Sequence, residues 1–115
     1  MTATTIDPAT FEALQQTAGA EFVGELVDTF LEEAPAMMAE LRDTLAAGNA
    51  DAFRRAAHSL KSNSLTFGAL TLGAMARGLE LGGLDPVRAA GAQPLDALAQ
   101  EYARVAAALT ELRNA

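Results

Sequence analysis

Residues 53–69 read FRRAAHSLKSNSLTFGA, and the helical pattern of this stretch sets the expectation for the whole chain. It is rich in alanine and leucine, which favours an α-helix. At about 3.6 residues per turn, residues three or four apart share a helix face. One face then forms a mostly apolar seam of Phe53, Ala57, Leu60, Ser64 and Phe67. The chain's single histidine, His58, falls on the adjacent polar face, so we expect it to be exposed to solvent.

The residues around His58 suit the binding of a negatively charged group. Lys61 lies one helical turn after the histidine and Arg54 one turn before it. A neutral imidazole nitrogen is a nucleophile, and Lys61 is placed to stabilise a phosphoryl group attached to it. Arg54 and the Ser62 hydroxyl are further candidate partners of such a group. A lone helical histidine is more often an incidental residue, so the pattern alone leaves both interpretations open.

The charge distribution separates this region from the rest of the chain. The protein has 15 acidic and 8 basic residues and a net charge of −7. Residues 52–79 nevertheless contain no aspartate or glutamate, and they hold Arg54, Arg55, Lys61 and Arg77. We therefore expect an imidazole surrounded by cations. The acidic balance of the whole chain argues against nucleic acid as a partner.

The run AHSLKSNSLTFGA, residues 57–69, resembles the signature of histidine-containing phosphotransfer (HPt) domains. Upstream, FVGELVDTFLEEAPAMMAELRDTLAAGNADAFRRA is similar to that family's second helix and the turn into its histidine helix. Downstream, GALTLGAMARGLE resembles the helix that follows. The resemblance covers roughly residues 5 to 113. It implies a phosphorylated His58, with Lys61 as its electrostatic partner, and a next helix that begins at Gly68-Ala69.

The resemblance also implies the partners. These are response-regulator receiver domains and a hybrid sensor histidine kinase, with Mg²⁺ on the receiver and no cofactor on this chain. A receiver aspartate would donate the phosphoryl group to His58, and His58 would pass it to another receiver. The resemblance is equally consistent with phosphoryl transfer in the reverse direction. Leu65, on the His58 face, is a candidate for the docking rim. Ser62 stands where the family usually has glycine, which leaves transfer rate and partner preference open.

Apolar periodicity and helix-breaking residues predict one all-α domain over residues 1–115. We expect an antiparallel up-down four-helix bundle with a short additional N-terminal helix. Residues 82–94 should connect the last two helices, with a possible helical turn at 85–90. Pro35 should kink the second helix or divide it in two. Gly68, Gly73 and Gly78 suggest close approach between helices. The predicted helices are 8–18, 20–47 with the kink near Pro35, 50–67, 69–82 and 95–113.

Composition excludes several classes of protein. The absence of cysteine excludes disulfides, thiolate catalysis and cysteine-based zinc sites. No run approaches the roughly 18 apolar residues that span a bilayer. The N-terminus lacks the basic and hydrophobic parts of a signal peptide. We therefore expect a cytoplasmic protein without a membrane partner.

Three functions are compatible with the sequence. The chain is either a phosphocarrier without kinase activity of its own, or an interaction module that inhibits a receiver or kinase without being phosphorylated. A hydrolase or phosphatase with His58 as the base is a third reading. It requires a nearby acid, which residues 52–79 do not supply.

Overall fold

Residues 5–114, which the computed structural model describes, fold into six α-helices and no β-strand. The prediction of an all-α protein is confirmed. The helices are α1 (Pro8–Ala18), α2 (Ala20–Ala47), α3 (Ala50–Thr66), α4 (Leu70–Gly82), α5 (Leu84–Ala89) and α6 (Gln93–Asn114). Apart from α5, their bounds lie within two residues of those predicted from the sequence.

Short polar side chains define where α1 and α3 begin. The Asp7 carboxylate accepts a hydrogen bond from the backbone N–H of Thr10 at 3.1 Å, and Pro8 follows as the first helical residue. The Asn49 side chain accepts from the N–H of Ala52, also at 3.1 Å. Each cap satisfies a backbone donor that the helix itself leaves unpaired. These local interactions explain why the boundaries are readable from the sequence.

The second helix continues through Pro35 as one element, as the predicted range 20–47 has it, and the alternative of two helices in sequence is wrong. Proline removes one backbone hydrogen bond and crowds the preceding turn. Pro35 itself is exposed, whereas Phe30 and Ala34 before it and Leu41 and Leu45 after it are buried. Burial on both sides of the proline holds the two halves in one helix. A bend at Pro35 stays a prediction.

The predicted connection between the last two helices contains a helix of its own. Its six residues form α5, which buries Leu84 and Val87 in the core. The suggested helical turn is thus a regular short helix that begins one residue earlier than expected. Its two apolar side chains explain why this segment packs against the protein and does not form an open loop.

Helices α2, α3, α4 and α6 pack against one another in the pairs α2–α3, α3–α4, α4–α6 and α2–α6. All six helices contribute to a cluster of buried hydrophobic side chains. Every residue of the predicted α3 seam is buried: Phe53, Ala57, Leu60, Ser64 and Phe67. The face of α3 beside this seam turns toward solvent, and this is where His58 lies.

The N-terminal segment is bound to the turn that follows the histidine helix. The backbone N–H of Asp7 donates to the carbonyl of Gly68 at 2.8 Å. Gly68 has φ +83°, and a Cβ added there would lie 3.0 Å from the Asp7 carbonyl oxygen. Only glycine fits such a conformation at such a distance without strain. The C-terminal end of α3 is thereby fixed against the start of α1.

Candidate functional site

Helix α3 presents His58 at the edge of its buried seam. The neighbouring Ala57 and Leu60 are fully buried, and their packing fixes the rotation of the helix about its axis. The side chain of His58 is 57% exposed. The predicted exposure of the imidazole is therefore confirmed.

A glutamate from the neighbouring helix contacts the imidazole. Glu80 of α4 places its Oε2 atom 2.8 Å from His58 Nδ1. Its other oxygen, Oε1, lies 2.9 Å from Lys61 Nζ. The Glu80 and Lys61 side chains are only 18% and 21% exposed. Glu80 thus joins the histidine and the lysine of α3 through one carboxylate.

The two Glu80 contacts differ in kind. Oε2 and His58 Nδ1 form a hydrogen bond. Oε1 is buried and no donor among the described residues meets it in hydrogen-bonding geometry, so its short contact with Lys61 is an ion pair. The contact with the Lys61 ammonium, and next the bond to His58, lower the pKa of the Glu80 carboxyl from its ordinary value of 4.5, against the opposing effect of burial. Glu80 is therefore ionised at neutral pH.

An ionised carboxylate decides which imidazole nitrogen carries the proton. Glu80 has no proton to donate, so His58 Nδ1–H must be the donor of the 2.8 Å bond. In a neutral imidazole the lone pair then lies on Nε2. The hydrogen bonds between described residues leave Nε2 without a partner, on a side chain that is mostly exposed. The arrangement presents a nucleophilic nitrogen to solvent.

Cations do lie near the imidazole, but its nearest charged neighbour is Glu80, so the expectation that no acid is close to His58 is wrong. The acid-free segment 52–79 ends one residue before Glu80, and the packing of α4 against α3 brings Glu80 to His58. A signal was present: Glu80 directly follows the buried Leu79 and is the first acid after the segment. An acid at the edge of a buried stripe can reach across to the neighbouring helix.

The remaining predicted site residues lie on the same exposed side of α3. Arg54 forms an ion pair with Asp51 at 2.6 Å, and none of the hydrogen bonds between described residues joins it to the imidazole. Ser62 is exposed. Leu65 is 41% exposed and lies against Gly73 of α4, where an added Cβ would be 2.5 Å from Leu65 Cδ2. The docking roles of all three stay predictions.

The glycines of α4 do not share one role. Close helix approach holds at Gly73, where the Leu65 side chain occupies the space of a Cβ. The prediction of close helix approach is wrong for Gly78. This residue is exposed, and an added Cβ there would have no neighbour within 4 Å. The regular five-residue spacing therefore does not reflect one packing surface.

Over residues 5–114, no group of three or more histidine, aspartate or glutamate side chains is arranged to hold a metal ion. No helix within that range is long and apolar enough to cross a membrane. The absence of a cofactor on this chain stays a prediction.

The comparisons with known proteins agree with this geometry. The family model described as Hpt domain matches residues 25–115. The chain belongs to the Hpt domain family. The match begins within α2, so the α1 helix of this Hpt domain precedes the matched region.

A solved structure resembles the whole Hpt domain, including the N-terminal helix. It is the crystal structure of histidine-containing phosphotransfer protein B from Pseudomonas aeruginosa PAO1, with 27% sequence identity and a TM-score of 0.81. The similarity covers 98% of this chain and 97% of that chain. No protein with a curated description matches the chain.

Proposed function

We propose that this Hpt domain is a phosphocarrier of a two-component phosphorelay, with His58 as the phosphorylated residue. The observation that carries the proposal is the exposed imidazole whose Nδ1–H is bound by Glu80, so that Nε2 is free. Membership of the Hpt family supports it, as does the similarity to a protein that is itself named a phosphotransfer protein.

The chemistry of this step follows from the bound tautomer. The lone pair of His58 Nε2 attacks the phosphorus of an aspartyl phosphate on a receiver domain. The new N–P bond forms as the P–O bond to the aspartate breaks, and the aspartate leaves as a carboxylate. The ring then holds a positive charge with its proton still on Nδ1, and Glu80 lies 2.8 Å away to stabilise it. The reverse reaction returns the phosphoryl group to a receiver.

In this scheme Lys61 pairs with Glu80 before phosphorylation and stabilises the phosphoryl group afterwards. Its ammonium group is one helical turn from His58 and is bound by Glu80 Oε1 in the unphosphorylated state. A phosphoryl group on Nε2 adds negative charge within reach of the same helix face. Lys61 then stabilises that charge while Glu80 keeps the imidazole oriented. The three side chains act as one unit, because a single carboxylate connects the other two.

The proposed partners are receiver domains and a hybrid sensor histidine kinase. The receiver supplies the acidic pocket and its Mg²⁺, and this chain supplies the nucleophile without kinase activity of its own. The cycle of contacts α2–α3–α4–α6 supports an antiparallel up-down four-helix arrangement within a single domain. Cytoplasmic location stays a prediction from the sequence.

One observation favours the hydrolase alternative: the Glu80 carboxylate lies next to His58, where the sequence analysis expected no acid. A carboxylate bound to imidazole Nδ1 is the arrangement that orients a histidine as a general base. A base would activate water without itself retaining phosphate, whereas a carrier becomes labelled in proportion to its own concentration. The same assay therefore separates the two functions.

The test is transfer from receiver domains charged with a labelled acyl phosphate. We expect acid-labile, base-stable phosphate on the wild type and none on His58→Gln. Glu80→Gln should slow transfer by roughly fivefold, since a neutral amide is a weaker partner of the developing imidazolium than a carboxylate. Lys61→Ala should slow transfer or shorten the phosphohistidine lifetime at unchanged helicity.

Three results would contradict the proposal. Label on His58→Gln would place the phosphate elsewhere. Phosphate released with many turnovers and no labelled intermediate would favour the hydrolase. Receiver binding without any label would favour the inhibitory interaction module.

A further inference from the structure

A pocket opens beside the imidazole, on the side toward the start of α3. It has a volume of about 360 Å³ and is lined by Arg54, Arg55, His58, Ser59 and Glu80. The two arginine side chains are 60% and 71% exposed. We call this site the arginine pocket. It is distinct from the contact of Lys61 with Glu80, because Lys61 does not line it.

Asp51 orients both arginines. Its Oδ1 atom lies 2.6 Å from Arg54 Nη2, and its Oδ2 atom lies 3.3 Å from Arg55 Nη1. One carboxylate thus contacts two guanidinium groups, and each guanidinium retains N–H donors that these contacts do not use. Arginines that are already oriented lose less side-chain entropy when they bind a further group. The pocket is therefore prepared for an additional acceptor.

The charge balance around the pocket is opposite in sign to that of the protein. Among the residues that line the pocket, Arg54 and Arg55 are cations and Glu80 is the one carboxylate, while Asp51, which pairs with both arginines, does not line it. The chain as a whole carries −7. A negatively charged partner surface is consequently repelled by most of the molecule and attracted to this region.

We propose that the arginine pocket binds an aspartate or glutamate side chain of the receiver domain that docks over His58. The proposal rests on the proposed phosphocarrier function for the identity of the partner. Carboxylates match the planar, forked geometry of arginine donors. From Arg54 to His58 the helix rises about 6 Å, so a carboxylate held here fixes the receiver one turn from the reacting nitrogen. Receivers without an acid at that place dock more weakly.

The experiment measures, by calorimetry, the dissociation constant between this protein and an unphosphorylated receiver domain. The receiver is the one that transfers phosphate fastest to the wild type. If none transfers, the receiver that binds the wild type most tightly is used. The test variant is the double substitution Arg54→Glu, Arg55→Glu. The control is Arg77→Glu, a single charge reversal, half that of the double variant, at an exposed position of α4 that does not line the pocket. Circular dichroism confirms that each variant keeps its helicity.

We expect the double variant to raise the dissociation constant roughly tenfold at about 50 mM salt, since attraction is replaced by repulsion at two partly exposed sites. The difference should shrink to about twofold near 500 mM salt, where the Debye length is only about 4 Å. Arg77→Glu should change the constant by less than about twofold at either salt concentration.

Several outcomes would overturn the arginine pocket. An unchanged constant in the double variant excludes it. A rise of about threefold or more in Arg77→Glu, which is half of the double variant's expected effect in free energy, shows diffuse electrostatic attraction without a specific pocket. Binding of inorganic phosphate that the double variant loses, with receiver affinity unchanged, would identify a small-anion site instead.

The two proposals fail in different ways. His58→Gln tests the carrier function through the loss of label, while the dissociation constants test the pocket without any phosphate transfer. Label on the wild type with arginine-insensitive binding removes only the pocket. Arginine-sensitive binding without label removes only the carrier function. If none of the receiver domains tested binds the protein, both the carrier function and the arginine pocket are excluded.

Discussion

Replacing Gly73 with alanine should destabilise the protein, although alanine is the better helix former. The added Cβ would lie 2.5 Å from Leu65 Cδ2 and 2.9 Å from Leu65 Cγ, well inside the 3.5–4.0 Å of ordinary carbon contacts. The Leu65 backbone N is 3.8 Å away and need not move. The Leu65 side chain must therefore leave its place between α3 and α4.

The magnitude follows from three opposing effects. Alanine in place of a helical glycine contributes about 1 kcal/mol of stability. Forcing Leu65 into a less favourable rotamer costs about 0.5–1.5 kcal/mol. Leu65 is 41% exposed, so its displacement forfeits only part of the roughly 1.5–3 kcal/mol of a fully buried leucine, about 0.5–1 kcal/mol. The three effects sum to a net loss of between about 0 and 1.5 kcal/mol for Gly73→Ala, with a central expectation of about 0.7 kcal/mol.

In a Leu65→Ala background the sign should reverse. The obstructing atoms are gone, and Gly73→Ala should then stabilise the protein by about 0.5–1 kcal/mol through helix propensity. The assay is urea unfolding of the wild type, both single variants and the double variant, followed by helical circular dichroism. The cycle should give a coupling of roughly 1.5 kcal/mol between the two positions. Additive effects, within about 0.5 kcal/mol, would refute the proposed packing of Leu65 in the space at Gly73.

Three further predictions concern the α3–α4 turn, the pH response and the departure from the family signature. Gly68→Ala should destabilise the protein by roughly 2 kcal/mol or more in urea unfolding, because φ is +83° and the Cβ meets the Asp7 carbonyl oxygen at 3.0 Å. Gly48→Ala is the control, since its φ of +69° is similar but its Cβ meets only the end of an arginine side chain at 3.5 Å. An equal loss in both variants would show that the close approach to Asp7 adds nothing to the cost of the positive φ. The lowered pKa of Glu80 means that its stabilising contribution is present above its ordinary value of 4.5 and is lost as the pH falls through the folded-state value. The stability difference between wild type and Glu80→Gln should therefore shrink as the pH falls below about 4.5, and a difference that grows on acidification below that pH would contradict the sign. Ser62→Gly should speed transfer from a receiver if the exposed side chain crowds the partner, whereas slower transfer would indicate a useful hydroxyl.

Different residues of the site orient the imidazole and bind the receiver domain. Glu80 contacts the imidazole from within the protein, and its substitution should alter the rate of transfer more than receiver affinity. Arg54 and Arg55 are exposed and bound only to Asp51 among the described residues, so their substitution should alter affinity and its salt dependence. Measuring both quantities for both sets of variants distinguishes the two roles.

The sequence by itself determined the helical class, most helix boundaries and the exposure of His58. These properties depend on local information: the spacing of apolar residues, capping side chains such as Asp7 and Asn49, and glycine at helix ends. The α3 seam follows from periodicity alone, because residues three or four apart share a face whatever the helix packs against. The histidine lies beside that seam, so its exposure followed as well.

Only the tertiary structure decided which side chains meet across two helices. Glu80 reaches His58 because α4 packs on α3 at one particular register. The two residues are 22 positions apart in the sequence, and that separation does not predict the 2.8 Å between Glu80 Oε2 and His58 Nδ1. The same register places Leu65 in the space left by Gly73 but leaves Gly78 without a neighbour. Continuity of α2 through Pro35 likewise depends on buried contacts at both of its halves. Periodicity fixes the direction in which a side chain points, whereas packing between helices fixes what it contacts.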